Sequence, residues 1–284
     1  MHAAACYYES DDGLRLFYRY LGSEHTSLPV ICLPGITRNS RDFEDIAEHL
    51  ADRYPVICPD FRGRGFSDRD PNWQNYQPLT YVKDVQRLLD ELSIERAAFI
   101  GTSLGGIVAT ALAHAADARV AGVVLNDIGP EIGAKGLERI KTYIGRVPPV
   151  RTWDEAIQQA QTLYGDAWPG LSAEQWQRVV RRSYRADEHG VPVLDMDPKI
   201  GEAARKVTTS LADPWQIFAA LHDKPTLVLH GAMSDILTDE IVAKMQQRKP
   251  DLMHVLVRNR GHVPLLDEPE CIATIDAFLA GLNQ

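Results

Sequence analysis

The chain has 284 residues, 45% of them hydrophobic and 24% charged, with 30 lysines and arginines against 39 aspartates and glutamates for a formal charge of −9. Those proportions exclude a disordered chain, a collagen, a coiled coil and a disulfide scaffold, and a chain this long buries roughly three quarters of its unfolded surface without a staple. An acidic surface repels phosphate backbones and anionic bilayers, so neither a nucleic acid nor a membrane is expected as a partner.

The first 130 residues alternate strand-like and helix-like patterns. Cys6–Glu9 and Leu14–Tyr20 flank Ser10-Asp11-Asp12-Gly13, a hairpin turn signal. Short apolar runs follow at Val30–Leu33, Pro55–Cys58, Ala97–Ile100 and Val120–Leu125; unbroken runs of this kind suit strands covered on both faces of a parallel sheet. Between them, Val82, Val85, Leu88, Leu89 and Leu92 recur at helical spacing. From Glu131 to Ala212 the texture changes to helical patterns rich in Gln, Arg and Trp, with no useful strand run. Strand character returns at Thr226–His230 and Met253–Arg258, and a helix is expected over Pro269–Leu282. The alternation predicts an α/β core over 1–130 and 213–284, interrupted once by a helical lid over 131–212.

The four cysteines, Cys6, Cys32, Cys58 and Cys271, show no CxxC pair and no metal-like spacing with histidine. Cys32 and Cys58 read as buried thiols, although a bridge is conceivable if their two runs are neighbouring strands. The N-terminus has no basic stretch followed by an apolar one, as a secretory signal would. The long apolar stretch from Phe99 to Ala116 is broken by Gly101, Ser103, Gly105, Gly106 and His114, and reads as a buried strand leading into a buried helix. A reduced, cytoplasmic protein is expected.

Gly101-Thr102-Ser103-Leu104-Gly105 is G-x-S-x-G, placed where an apolar strand ends and an apolar helix begins. A serine on so sharp a turn takes strained backbone angles, and glycines two before and two after leave room for it. The helix that follows directs its free N–H groups and positive end toward the serine oxygen. A serine hydroxyl also needs a histidine to take its proton and a carboxylate to hold that histidine. Asp235 follows the Thr226–His230 run and His262 follows the last strand, so the expected triad is Ser103, Asp235 and His262, all at carboxyl ends of strands. Asp127, after the sixth strand, is a rival acid. His230, His114 and Asp239 are weaker competitors, read as strand, helix-packing and helix-capping residues. The expected oxyanion donors are the backbone N–H groups of Leu104 and of Ile36, in the loop Leu33-Pro34-Gly35-Ile36-Thr37.

With the elbow, the Leu33–Ile36 loop, the Asp60–Ser67 stretch and the Asp235 and His262 loops, the chain resembles a serine hydrolase of the α/β-hydrolase fold, of the lidded esterase and lactonase type. The resemblance spans nearly the whole chain. It implies a mostly parallel eight-stranded sheet flanked by helices, with an inserted helical lid and no cofactor. Asp60-Phe61-Arg62-Gly63-Arg64-Gly65-Phe66-Ser67 is similar to the family's D-x-R-G-x-G-x-S turn and is read as structural. The chain departs from the family at Pro34-Gly35, where His-Gly is common; the backbone donor survives, an orienting imidazole does not. There is no HGGG run.

Ser103 argues against epoxide opening and dehalogenation, for which relatives place aspartate at the elbow. The expected reaction is hydrolysis of a carboxylic ester or lactone through an acyl-enzyme. Two alternatives stand beside it: cleavage of a carbon–carbon bond next to a carbonyl by the same triad, and a receptor that binds without turnover. Aromatic residues in the lid suggest an uncharged or weakly charged substrate of modest size, with Trp153, Trp215 and Arg38 as candidate contacts. Arg38 could meet a substrate carboxylate. The oligomeric state is not legible.

Overall fold

Apolar runs buried on both faces build the centre of the molecule. In the computed structural model, which describes residues 4–115, 118–206 and 213–282, the strands are β1 (Ala4–Glu9), β2 (Arg15–Leu21), β3 (Val30–Leu33), β4 (Val56–Pro59), β5 (Ala97–Thr102), β6 (Val120–Asn126), β7 (Tyr184–Ala186), β8 (Pro192–Leu194), β9 (Thr226–Gly231) and β10 (Met253–Val257). The helices are α1 (Glu44–Leu50), α2 (Pro78–Glu91), α3 (Leu104–His114), α4 (Ala134–Tyr143), α5 (Trp153–Tyr164), α6 (Ala173–Ser183), α7 (Lys199–Lys206), α8 (Pro214–Ala219), α9 (Asp239–Arg248) and α10 (Pro269–Leu282).

Eight strands form one sheet in the order β1-β2-β4-β3-β5-β6-β9-β10. Only the pairings that involve β2 are antiparallel. Side chains alternate across it. Ile31, Leu33, Phe99 and Val123 pack on one side with Val85, Leu88 and Val108 of α2 and α3. Val30, Cys32, Ile100 and Val124 pack on the other with Ile46, Leu50, Ile275 and Phe278 of α1 and α10. Both faces being covered, the central strands are apolar through their middles, as their continuous runs predict, and their polar residues Thr102, Asn126, Thr226 and His230 fall at or next to strand ends. Cys32 and Cys58 fall on adjacent strands and are free, buried thiols.

Between β6 and β9 the chain leaves the sheet. Helices α5 and α6 start at side-chain caps, Thr152 accepting from Glu155 N and Ser172 forming a reciprocal capping box with Gln175. Trp168, Trp176, Val179, Val180 and Tyr184 give this insert a core of its own. One element departs from the expectation of helices alone. β7 and β8 form a three-residue hairpin, too short to show any alternation in the sequence. The expected end of the insert, residues 207–212, lies outside the described residues. Among the described residues, no helix is long and apolar enough to cross a membrane.

Candidate active site

Ser103 sits between β5 and α3 with φ 50° and ψ −114°, the strained turn expected of G-x-S-x-G. Crowding explains both glycines. A Cβ on Gly101 would lie 2.5 Å from Gly106, and one on Gly105 would lie 2.0 Å from the Leu33 carbonyl oxygen. The Ser103 N–H donates to the Asn126 carbonyl at 3.1 Å, tying the elbow to the end of β6.

His262, in the loop after β10, reaches back across the sheet to that elbow. Its Nε2 lies 3.0 Å from Ser103 Oγ and its Nδ1 lies 2.8 Å from Asp127 Oδ2. A carboxylate only accepts, so Nδ1 carries the proton and Nε2 is free to accept from the serine hydroxyl. Asp127 is fully buried directly after β6, and each of its two oxygens is engaged, by one backbone and two side-chain donors in all. Oδ1 accepts the Gly231 N–H at 2.8 Å, and Oδ2 accepts the Ser234 hydroxyl at 2.6 Å as well as the imidazole. Ser234 Oγ itself accepts from the Ile236 and Leu237 N–H groups, which directs its one hydrogen at Asp127. Ser234 is a residue that sequence reasoning missed, since nothing in its local pattern marks it.

The acid expected at Asp235 is a correction. Its carboxylate is held in a bidentate pair by Arg139 of α4, at 2.6 and 2.7 Å. The first turn of α4 is docked on the same loop, Gly133 N–H on the Ile236 carbonyl and Gly136 N–H on the Asp235 carbonyl. The Arg139 bonds hold the Asp235 carboxyl below the ordinary carboxylate range, against the opposing effect of burial. With β6 lying between β5 and β9 in the sheet, the rival at the end of β6 is the one that stands beside the histidine.

Beside Ser103 lies a cavity of about 80 Å³ lined by Gly35 and Ile36 of the loop after β3, by His262, and by Tyr143, Tyr164 and Trp168 of the insert. Leu104 N–H opens α3, and neither it nor Ile36 N–H donates to another protein group among the described residues. That leaves both expected oxyanion donors unengaged.

Of the three expected contacts, one lines the cavity and two do not. Arg38 lines the cavity, but Asp42 takes its Nε and Nη2 at 2.6 and 2.5 Å and Ser183 takes its Nη1, so its charge is already matched. Trp153 faces away, with the Arg181 guanidinium 3.5 Å above its ring. Trp215 packs on Phe218, donates to Glu131 at 2.7 Å and carries Arg248 over its ring. Of the competing histidines, His230 is buried against His254, 3.3 Å between ring nitrogens, away from the elbow.

A family model described as the alpha/beta hydrolase fold matches residues 29–158. A 3-hydroxybutyrate-oligomer hydrolase from Cupriavidus necator is 32% identical over 276 residues, covering 94% of this chain and 93% of the relative. A 2-(acetamidomethylene)succinate hydrolase from Mesorhizobium japonicum is 26% identical over 80% of this chain and 79% of its own length. Among solved structures, an alpha/beta hydrolase from Novosphingobium aromaticivorans superposes with a TM-score of 0.92 at 43% identity, each chain covered to 98%.

Proposed function

Because the chain belongs to the α/β-hydrolase family, we propose that it is a serine hydrolase of a carboxylic ester or lactone, working through an acyl-enzyme on Ser103. The observation that carries this reading is the unbroken relay from Ser103 Oγ through His262 to Asp127, at 3.0 and 2.8 Å. Ser103 Oγ attacks the carbonyl carbon while Nε2 takes its proton, and the new imidazolium is held by the buried Asp127 carboxylate. The carbonyl oxygen, now negative, accepts from Ile36 and Leu104 N–H. As the tetrahedral species collapses, Nε2 returns the proton to the departing alkoxide, the alcohol leaves and the acyl group stays on Ser103. Water then repeats the sequence, Nε2 taking its proton and giving it to Ser103 Oγ as the acid is released. The cycle consumes water alone.

The substrate class follows from the cavity and from the relative that hydrolyses 3-hydroxybutyrate oligomers. A compact space with phenol and indole groups beside the serine fits a short acyl group with a hydroxyl or second ester along it. The insert then serves as a lid, since Tyr143, Tyr164 and Trp168 close the cavity from its side. The test is a panel of 3-hydroxybutyrate dimer and trimer, p-nitrophenyl butyrate, a γ-lactone and a vinylogous diketone. Turnover of the esters that disappears in Ser103→Ala supports the reading. Turnover of the diketone alone replaces it with carbon–carbon hydrolysis, and retention of a ligand without product replaces it with a receptor.

A further inference from the structure

The turn Asp60–Ser67, whose motif the triad does not use, holds two buried arginines that are treated differently. Arg62 is compensated in the ordinary way, with Asp12, Asp70 and Asp84 all within 2.7 Å. Arg64 is 1% exposed, and its donors go only to neutral oxygens: the Ile36 carbonyl at 2.7 Å, the Arg62 carbonyl at 2.9 Å and the Tyr81 hydroxyl at 3.2 and 3.3 Å. No carboxylate pairs with it among the described residues. A buried guanidinium with no carboxylate in contact is costly, here offset in part by the Tyr81 and Phe61 rings 5.0 and 5.8 Å away, and such a group is a candidate for a role at the site it adjoins.

Its first acceptor belongs to the oxyanion loop. There the Arg38 N–H donates to the Gly35 carbonyl at 3.1 Å, which closes a turn over Gly35–Arg38. With the Gly35 carbonyl taken, the trans peptide turns the Ile36 N–H the opposite way. With the Ile36 carbonyl taken by Arg64, the residue is fixed on its other side too. The turn that carries Arg64 is itself braced, the Gly65 N–H on the Asp195 carbonyl and the Asp197 N–H on the Gly63 carbonyl.

Building on the ester-hydrolase reading, we propose that Arg64 is a positioning residue for the oxyanion hole. It holds Ile36 so that its N–H meets the tetrahedral oxyanion, and it supplies behind that loop a positive charge that no carboxylate touches directly and that favours the oxyanion as it forms. Interactions of this kind strengthen on going from ground state to transition state, so they act on kcat and leave KM alone.

The experiment compares Arg64→Gln, Arg64→Met and Arg64→Lys with wild type and Ser103→Ala, after thermal unfolding has shown which variants fold. It reads kcat and KM on p-nitrophenyl butyrate, and the inhibition constant of butylboronic acid, whose tetrahedral adduct on Ser103 carries an oxygen in the hole. In the neutral variants kcat should fall about 10- to 100-fold with KM within threefold, and boronate binding should weaken by a similar factor. Arg64→Lys, which keeps the charge, should recover at least half of that loss on a logarithmic scale. A folded neutral variant with kcat within twofold of wild type overturns the proposal, as does one whose loss lies in KM. If neither neutral variant folds, Arg64→Lys decides: boronate affinity within tenfold of wild type supports the proposal and a greater loss overturns it. A wild type that neither turns over the ester nor binds the boronate sinks the ester-hydrolase reading instead.

Discussion

Replacing Asp127 with asparagine separates the two candidate acids, because the asparagine amide cannot satisfy the surroundings of this carboxylate in either orientation. With its NH2 at the Oδ2 position, it faces the Ser234 hydroxyl, whose hydrogen is already directed there, and it forces His262 Nδ1 to accept. The ring proton then moves to Nε2, which can no longer take the proton of Ser103. With its NH2 at the Oδ1 position, it faces the Gly231 N–H, donor against donor. The first orientation disables the general base; the second leaves a buried donor pair that costs about 1–3 kcal/mol. By the behaviour of serine triads, kcat should fall on the order of 10³- to 10⁴-fold, or about 4–5.5 kcal/mol of transition-state stabilisation. The assay is steady-state hydrolysis of p-nitrophenyl butyrate by Asp127→Asn and Asp235→Asn side by side, with circular dichroism to establish that both fold. A mild effect at Asp127 with a severe one at Asp235 would refute the assignment drawn from the His262 contacts.

Asp235→Asn should keep kcat within about threefold and lower stability instead, by about 1–2 kcal/mol, since it breaks a partly screened bidentate pair with Arg139. Because Arg139 holds the Asp235 carboxyl below its ordinary range, that stabilisation is complete above the unfolded pKa of about 4 and is lost only as pH falls through the lowered folded value. Urea midpoints of wild type and Asp235→Asn should therefore differ by the same amount at pH 7 and pH 5, and a gap that closes by pH 5 would contradict the pairing. Trp168→Phe removes the indole donor to the Val263 carbonyl at 2.6 Å, next to His262, while keeping an aromatic wall. The single bond is worth about 1 kcal/mol, so kcat and the rate of Ser103 phosphonylation should both drop roughly fivefold, and unchanged rates would show that the insert does not steady the histidine.

Local constraint decides what could be read in advance. The elbow was legible because strain at Ser103 and the clearances at Gly101 and Gly105 involve residues within a few positions, apart from the close approach of Leu33. The central strands were legible because burial on both faces leaves continuous apolar runs through their middles. The choice between Asp127 and Asp235 was not, although both loops were marked. It turns on Arg139, 96 positions before Asp235, and on which of two neighbouring strands the histidine loop crosses. The facing of Trp153 and Trp215 was hidden for a similar reason, since Arg181 and Arg248 claim their rings only in the folded chain. Arg38 was found at the cavity wall, but its commitment to Asp42 and Ser183 depends on the rotamers of all three side chains.

The most direct test of an activated serine at the elbow is intact-mass spectrometry after brief exposure to a small fluorophosphonate, on wild type, Ser103→Ala and Asp127→Asn. One adduct on wild type, none on Ser103→Ala and a labelling rate at least a hundredfold lower on Asp127→Asn is the expected result. An unlabelled wild type, or an adduct that persists in Ser103→Ala, would contradict the relay from Ser103 through His262 to Asp127.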